Sequence, residues 1–203
     1  NNAIDTAAYA WSPARCKKVR HELNLGGVYT LGHVGNFTQP KNHSFLLEIF
    51  TALLKREPDA VLLLVGGGVG MSKMQEKVQE LAIAEHVRFL GVRSDVAELM
   101  QAMDVFVFPS LYEGLPVTMV EAQAAGLPCI ISDKVPPECI LTEGLVDIMP
   151  LSASPEAWAE KILAKRAIPR TDRRAEIAAH GFDITTETVK LQEFYLKAYE
   201  QNC

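Results

Sequence analysis

The sequence predicts an α/β protein: a doubly wound parallel sheet, Rossmann-like, with helices on both faces and more helices at the C-terminal end. Three observations carry that expectation. Apolar runs such as Ala60-Val-Leu-Leu-Leu-Val65 read as strands covered on both faces. These runs alternate with stretches of helical periodicity, joined by short loops. After Pro150 the strand pattern stops and only helical patterns remain.

The elements follow in order. Residues 1–27 form an irregular entry segment with one short helix over 13–23. Residues 28–34 read as a buried strand, with 35–40 as its exit loop. Phe45, Leu46, Ile49, Leu53 and Leu54 recur at helical spacing, which predicts a helix over 44–55 that Pro58 stops. The strand 60–65 runs into Gly66-Gly67-Gly68-Val69-Gly70, and a helix over 72–84 follows. A short strand over 87–90 leads to a helix over 95–103, with Ser94 as its N-cap. A strand over 104–108 precedes a helix over 116–125 that Gly126 closes. Strands over 129–132 and 145–149 complete the core, which spans 28–150. Helices over 155–165, 170–179 and 185–199 make up the segment 151–203. In such a sheet ligands bind at the carboxyl ends of the strands, where the order of strands reverses.

Composition narrows the function classes. The 203 residues carry 25 acidic and 20 basic side chains, a net charge of −5, with no basic stripe to hold nucleic acid. At roughly 150 residues per domain the length suits one domain, or one and a half. Charged residues interrupt every apolar run well short of the ~20 needed to span a membrane. The opening Asn1-Asn2-Ala3-Ile4-Asp5 has no signal-peptide pattern. Cys16, Cys129, Cys139 and Cys203 are scattered, which predicts reduced thiols in a cytoplasmic protein rather than a disulfide frame or a zinc site.

Two loops invite chemistry. The loop at Gly66, including Gly67, lacks the last glycine of a dinucleotide fingerprint, because Met71 or Lys73 stands where it is needed. It also lacks the Gly-Lys-[Ser/Thr] of a P-loop. It fits a strand-to-helix turn, or a turn that also lets a ligand approach the backbone. The second loop, Pro109-Ser-Leu-Tyr-Glu-Gly-Leu-Pro-Val-Thr-Met-Val-Glu121, is more informative. Glu113 lies just past a buried strand, at the ligand edge. Gly114 permits a tight turn, and Pro116 suits the first helical turn. The free N–H groups around Leu115, Val117 and Thr118, with the helix dipole, form an anion site suited to phosphate. Glu121 falls about one and a half turns into the helix among Met119, Val120, Ala122, Ala124 and Ala125. A carboxylate there needs donors, and two vicinal ribose hydroxyls would supply them. The plainer alternative is a solvated helix carboxylate and a loop charge.

Glu113-Gly-Leu-Pro with Glu121, seven residues between the two carboxylates, resembles the Glu-x7-Glu motif of glycosyltransferase family 4, retaining enzymes of the GT-B fold. The flanks Asp104-Val-Phe-Val-Phe-Pro-Ser110 and Ala122-Gln-Ala-Ala-Gly-Leu-Pro-Cys-Ile-Ile-Ser-Asp133 look like the same family. So do Val87-Arg-Phe-Leu-Gly91, His33-Val-Gly-Asn-Phe with Lys41-Asn-His43, and Asn2-Ala3-Ile4-Asp5. The likeness is strongest to bacterial exopolysaccharide and capsule enzymes. It implies the donor-binding domain of a transferase that moves a sugar from a nucleotide-sugar, expected to be a UDP-sugar, to a polysaccharide or lipid-linked acceptor.

Carried over residue by residue, the resemblance makes Glu121 the ribose acceptor and places Glu113 against the donor sugar. Gly114, Leu115, Pro116 and Val117 face sugar and diphosphate, and Lys41 neutralises the departing diphosphate. Gly35 and Asn36 border the phosphates; Val92 and Arg93 lie along the base, with Gly67 near them. No metal ion and no separate cofactor is implied. The family often has Arg where this chain has Asn36, which removes one cation from the diphosphate site. His33 and His43 flank the site in positional roles, and His43 would cap the helix beside it. Nothing here resembles the family's N-terminal acceptor domain, so the isolated domain is expected to be inactive in transfer. Any membrane contact would be peripheral and made through that other half. In the family the last helix packs on that half; the alternative is ordinary packing on this chain's own sheet. Two other functions stay open: a non-catalytic nucleotide-sugar-binding module working with a separate acceptor subunit, and, more weakly, a sugar-nucleotide epimerase.

Overall fold

The computed structural model describes residues 2–200; Asn1 and Cys203 lie outside them. Six parallel strands form one sheet: β1 (Thr30–Val34), β2 (Val61–Val65), β3 (Val87–Gly91), β4 (Val105–Phe108), β5 (Cys129–Ser132) and β6 (Val146–Met149), in the order β3-β2-β1-β4-β5-β6. The order reverses between β1 and β4, which pair through Leu31 with Val105 and Gly32 with Phe106. Parallel pairing forces a crossover between successive strands; four of the five carry an α-helix, while β5 reaches β6 through a short 3-10 turn over Pro137–Cys139. The helices are α1 (Thr6–Tyr9), α2 (Pro13–Glu22), α3 (His43–Leu54), α4 (Met71–Glu80), α5 (Val96–Ala102), α6 (Val117–Ala124), α7 (Pro155–Ala164), α8 (Arg174–Ala179) and α9 (Ile184–Glu200).

Side-chain alternation along the strands builds two cores. Leu31, Leu62, Leu64, Val105, Val107 and Ile130 join Leu46, Phe50 and Trp158 on one face. Val61, Leu63, Val65, Phe106, Phe108 and Ile131 join Leu99, Met119 and Leu127 on the other. A third cluster joins Ile4 of the entry segment to Val120, Ala124, Ile177 and Phe182. The predicted fold class therefore holds.

Several local expectations change. The entry segment is ordered: α1 forms, and Ile4 pairs by backbone with Phe182 and Ile184. The helix expected over 72–84 stops at Glu80. Ala82 adopts φ 54°, and the Ile83 N–H reaches back to the Val78 carbonyl, a left-handed cap. Ser94 does not cap α5; Asp95 holds that position, and both its carboxylate oxygens are taken by Arg93. His43 does not cap α3 either. Asn42 is the N-cap residue, in the left-handed region at φ 53°. Pro116 is the N-cap of α6, one position before the helical turn expected for it. The helix expected from 170 begins at Arg174. Arg170 instead donates to the carbonyls of Met100, Gln101, Met103 and Ala125, and stacks on Trp11. Gly126 closes α6 as expected, with φ 59° and no room for a Cβ, which would meet the Thr171 carbonyl oxygen at 2.1 Å. No residue of α9 is buried, so packing on its own sheet is not what holds this helix's apolar side chains.

Candidate functional site at the carboxyl edge of the sheet

Four loops meet at the carboxyl ends of β1 to β4, and backbone hydrogen bonds join them. Gly35 N–H donates to Val65, Phe37 N–H to Gly67, Gly66 N–H to Gly91, and Gly70 N–H to Phe37. Gly66 makes the first approach feasible. Its φ is 141°, and a Cβ there would lie 2.1 Å from the Gly35 carbonyl oxygen. Gly67 sits so close to the β3 loop that a Cβ would meet Val92 at 2.9 Å. Across the switch point, Asn42 Nδ2 donates to the Pro109 carbonyl at 3.1 Å, and Leu111 N–H donates to Pro40 at 2.7 Å. Asn42 therefore spends its side chain on tying the β1 loop to the β4 loop, which explains why it leaves α3 uncapped.

This framework brings Lys41 and Glu113 together. Lys41 Nζ donates to Glu113 Oε1 at 2.7 Å, with the side chains only 19% and 11% exposed. The ammonium also lies 4.6 Å from the centre of the Phe108 ring. Beneath them, His33 and His43 meet edge to face at 4.7 Å, and His43 stacks on Phe37 at 4.2 Å. His33 Nδ1 donates to the Val107 carbonyl at 2.9 Å. Burial, then the neighbouring His43, hold His33 well below its ordinary pKa. Burial, then Lys41, lower His43 to about 4. Both imidazoles are therefore neutral at pH 7, and both Nε2 atoms, like Ser110 Oγ, are buried without a partner.

The start of α6 completes the edge. Pro116 offers no side-chain cap, and the Val117 and Thr118 N–H groups have no acceptor among the described residues. Such N–H groups with the helix dipole favour an anion. Gly114 is not in the left-handed region, and a Cβ there would meet nothing, so the conformation does not demand the tight glycine turn expected. Leu115 is exposed, and Pro116 is buried.

A cavity of about 320 Å³ opens along this edge. Gly35, Asn36, Lys41, Val92 and Arg93 line it as predicted, and Gly66, Val96 and Thr118 join them. Gly67, Glu113, Gly114, Leu115, Pro116, Val117 and Glu121 do not reach its wall: Gly67 and residues 113–116 lie in the loops that frame it, and Val117 and Glu121 lie on α6. Arg93 is held by Asp95 through two hydrogen bonds of 2.8 and 2.6 Å, so its charge is already met. Asn36 is exposed and has no charge to offer. Glu121 lies one turn of α6 past Thr118. Burial raises its carboxyl above the ordinary value, while a hydrogen bond from the Tyr9 hydroxyl at 2.7 Å pulls it back. Tyr9 is the residue that sequence reading missed, because nothing local marks a tyrosine 112 positions away as a partner. Larger recesses exist, one of about 540 Å³ beside Arg20, Tyr29 and Asp104. That recess lies at the opposite edge of the sheet, where parallel sheets do not place their ligands.

Comparison with known proteins supplies a family and relatives for the chain. The family described as "Glycosyl transferases group 1" matches residues 28–165. EpsF of Bacillus subtilis (strain 168), which carries a glycosyltransferase name, is 40% identical over 168 residues, 81% of this chain and 44% of that protein. The UDP-Gal:alpha-D-GlcNAc-diphosphoundecaprenol alpha-1,3-galactosyltransferase of Escherichia coli is 34% identical over 146 residues, 69% of this chain and 37% of that one. The chain thus spans less than half the length of these curated relatives. Among solved structures, Anabaena Alr3699/HepE in complex with UDP and glucose superposes with a TM-score of 0.80 at 21% identity, covering 95% of this chain and 55% of that chain. The C-terminal domain of a glycosyl transferase group 1 protein (LpcC) from Francisella tularensis gives 0.73 at 19% identity, covering 90% of this chain and 100% of that one. Among the described residues no helix is long and apolar enough to cross a membrane.

Proposed function

The chain belongs to the group 1 glycosyl transferases, and from that premise we propose that it forms the donor-binding half of a retaining glycosyltransferase of family 4. The carrying observation is the meeting of Lys41 and Glu113 across the switch point, beside an uncapped helix N-terminus. The donor is a nucleoside diphosphate sugar, with UDP as the nucleotide. Its diphosphate lies between Lys41 and the Val117 and Thr118 N–H groups, and Gly35 and Asn36 border it. Glu121 accepts hydrogen bonds from the ribose hydroxyls. The base runs along Val92 and Arg93, near Gly67.

Charge logic then gives the chemistry. As the bond from sugar to nucleotide breaks, negative charge grows on the diphosphate. An ammonium and a helix end fixed in advance stabilise that charge without reorganising. Glu113, released from Lys41 by the arriving phosphate, turns to the sugar hydroxyls across the Gly114-Leu115-Pro116 turn. The scheme needs no metal ion and no separate cofactor. The acceptor, a polysaccharide or lipid-linked glycan, is held by an N-terminal acceptor domain of the GT-B kind, and transfer requires both halves. The reaction belongs on the cytoplasmic side of the membrane, where nucleotide-sugars are made, with any membrane contact made through that acceptor domain.

Calorimetric titration with UDP, and with UMP as control, tests the reading. Micromolar UDP binding, weaker for UMP, is the expected result; absence of heat with any nucleoside diphosphate rejects it. Glu121→Ala should weaken UDP binding with the fold intact. Asn36 favours one second reading, a non-catalytic nucleotide-sugar-binding module working with a separate acceptor subunit, because a cation is missing from the diphosphate site. Hydrolysis of a UDP-sugar by the chain alone would reject that alternative.

A further inference from the structure

We propose that Tyr9 is a positioning residue for nucleotide recognition: its hydroxyl holds the Glu121 carboxylate in the orientation that accepts the ribose hydroxyls. The proposal rests on the ribose role given to Glu121 above. It is carried by where Tyr9 stands. The cleft opens between α5, which contributes Val96, and α6, which contributes Thr118. Tyr9, the last residue of α1, bridges the same two helices. Its hydroxyl donates to Glu121 Oε1 on α6 at 2.7 Å. Its carbonyl accepts from Gln101 Nε2 on α5 at 3.1 Å.

The bridge is firmly set. Gln101 is fully buried, and its Oε1 accepts the Ser12 N–H at 3.0 Å, so one amide clamps both Tyr9 and the chain three residues on. Arg15 holds the flanking carbonyls of Ala8 and Ala10 at 2.8 and 3.2 Å, and is itself anchored to Glu98 on α5. Further back, Ile4 pairs by backbone with Phe182 and Ile184, and Thr6 donates to Asp183. The tyrosine therefore presents its hydroxyl from a fixed backbone.

The chemistry of the pair fits a positioning role. An ionised carboxylate only accepts, at about four lone-pair sites on two oxygens. Tyr9 takes one site on Oε1, and the carboxylate receives no other side-chain or backbone donor among the described residues. The remaining sites suit two vicinal hydroxyls. A free Glu side chain samples several rotamers, and fixing one before the ligand arrives removes that cost from binding. The Tyr9 hydroxyl, raised above its ordinary pKa of 10 by burial and by Glu121, stays protonated and can only serve as donor to this carboxylate.

The test compares UDP with 2′,3′-dideoxy-UDP on the whole chain, by calorimetry, in the parent, Tyr9→Phe, Glu121→Gln and the double variant. Tyr9→Phe keeps the ring and the backbone bond to Gln101. The expected result is a loss of about tenfold in UDP affinity with dideoxy-UDP affinity unchanged, the scale of one hydrogen bond to a charged group. In the Glu121→Gln background, Tyr9→Phe should add nothing. Gln101→Met, which loosens the segment without touching Glu121, should lower Tm while losing less of the ratio of the two affinities than Tyr9→Phe does.

Equal weakening of both ligands by Tyr9→Phe, or a ratio lost as fully in Gln101→Met, overturns the proposal in favour of simple scaffolding. An unchanged ratio in Tyr9→Phe alongside a collapsed ratio in Glu121→Gln overturns it alone. A parent that binds UDP without preferring it to the dideoxy analogue removes the ribose role of Glu121 and this proposal with it, but leaves donor binding standing. A parent that binds no UDP removes all three.

Discussion

Replacing Lys41 by Met separates two roles that the structure places on one ammonium. Lys41 Nζ lies 2.7 Å from Glu113 Oε1, with both side chains largely out of water. At an effective dielectric of 20, the attraction at that distance is about 6 kcal/mol. Most of it offsets the desolvation of the two charges. What matters on substitution is the carboxylate left behind, because stranding one member of a buried pair costs about 3–5 kcal/mol. Glu113 keeps some exposure, so the lower end applies, and urea denaturation should show Lys41→Met losing about 3 kcal/mol. Adding Glu113→Gln removes the stranded charge and should restore stability to within about 1 kcal/mol of the parent. The double variant then isolates function. It should fold normally and still bind UDP at least tenfold more weakly, at low salt, since a phosphate has lost its cation. A single variant as stable as the parent would show that water screens the pair. A stable double variant with parental UDP affinity would refute the diphosphate role of Lys41.

Other consequences are direct. Gly66→Ala would force a Cβ to within 2.1 Å of the Gly35 carbonyl at a φ of 141°, so it should destabilise by several kcal/mol and abolish UDP binding, as denaturation and calorimetry would show. His33 and His43 are held below the ordinary value of 6.5, so the unfolded chain binds more protons below that pH. Their contribution is complete above pH 6.5 and is lost as pH falls toward about 4 for His43. By pH 5.5 each should cost about 1.4 kcal/mol, and His43→Phe should flatten the pH profile by one such share. Because burial raises the Glu121 carboxyl above its ordinary value, acid should weaken UDP binding more in the parent than in Glu121→Gln; superimposable pH profiles in the two would deny it a ribose contact. On α9, Phe194 and Leu196 are 64% and 55% exposed, so Phe194→Ser with Leu196→Ser should change the stability of this chain by less than about 1 kcal/mol.

Much of the fold is legible without coordinates. Apolar runs of strand length, such as 60–65, must be covered on both faces, and their alternation with helical patterns admits few arrangements. Element boundaries were less legible, for reasons visible in particular residues. Ala82 ends α4 in a conformation its type does not advertise. Asp95 spends its side chain on Arg93 rather than on capping α5, and Arg170 leaves a helix to satisfy four carbonyls at the C-terminal ends of α5 and α6. The first two outcomes turn on bonds made within five residues that helix propensity does not weigh, and the third on partners 45 to 70 positions away.

The candidate site divides the same way. Sequence alone determined that Glu113 and Lys41 follow strand ends and that Glu121 lies on the next helix, because motif spacing and the carboxyl-edge rule are local and topological facts. The tertiary structure decided that Lys41 and Glu113 share one hydrogen bond from loops 72 positions apart, and that Asn42 ties those loops together. It decided that two neutral histidines floor the site, because their pKa values follow from burial, which no sequence window contains. It also brought Tyr9 to Glu121. Chain topology sets which ends of the strands meet a ligand, whereas side-chain pairing across long separations is settled only once packing fixes the distances.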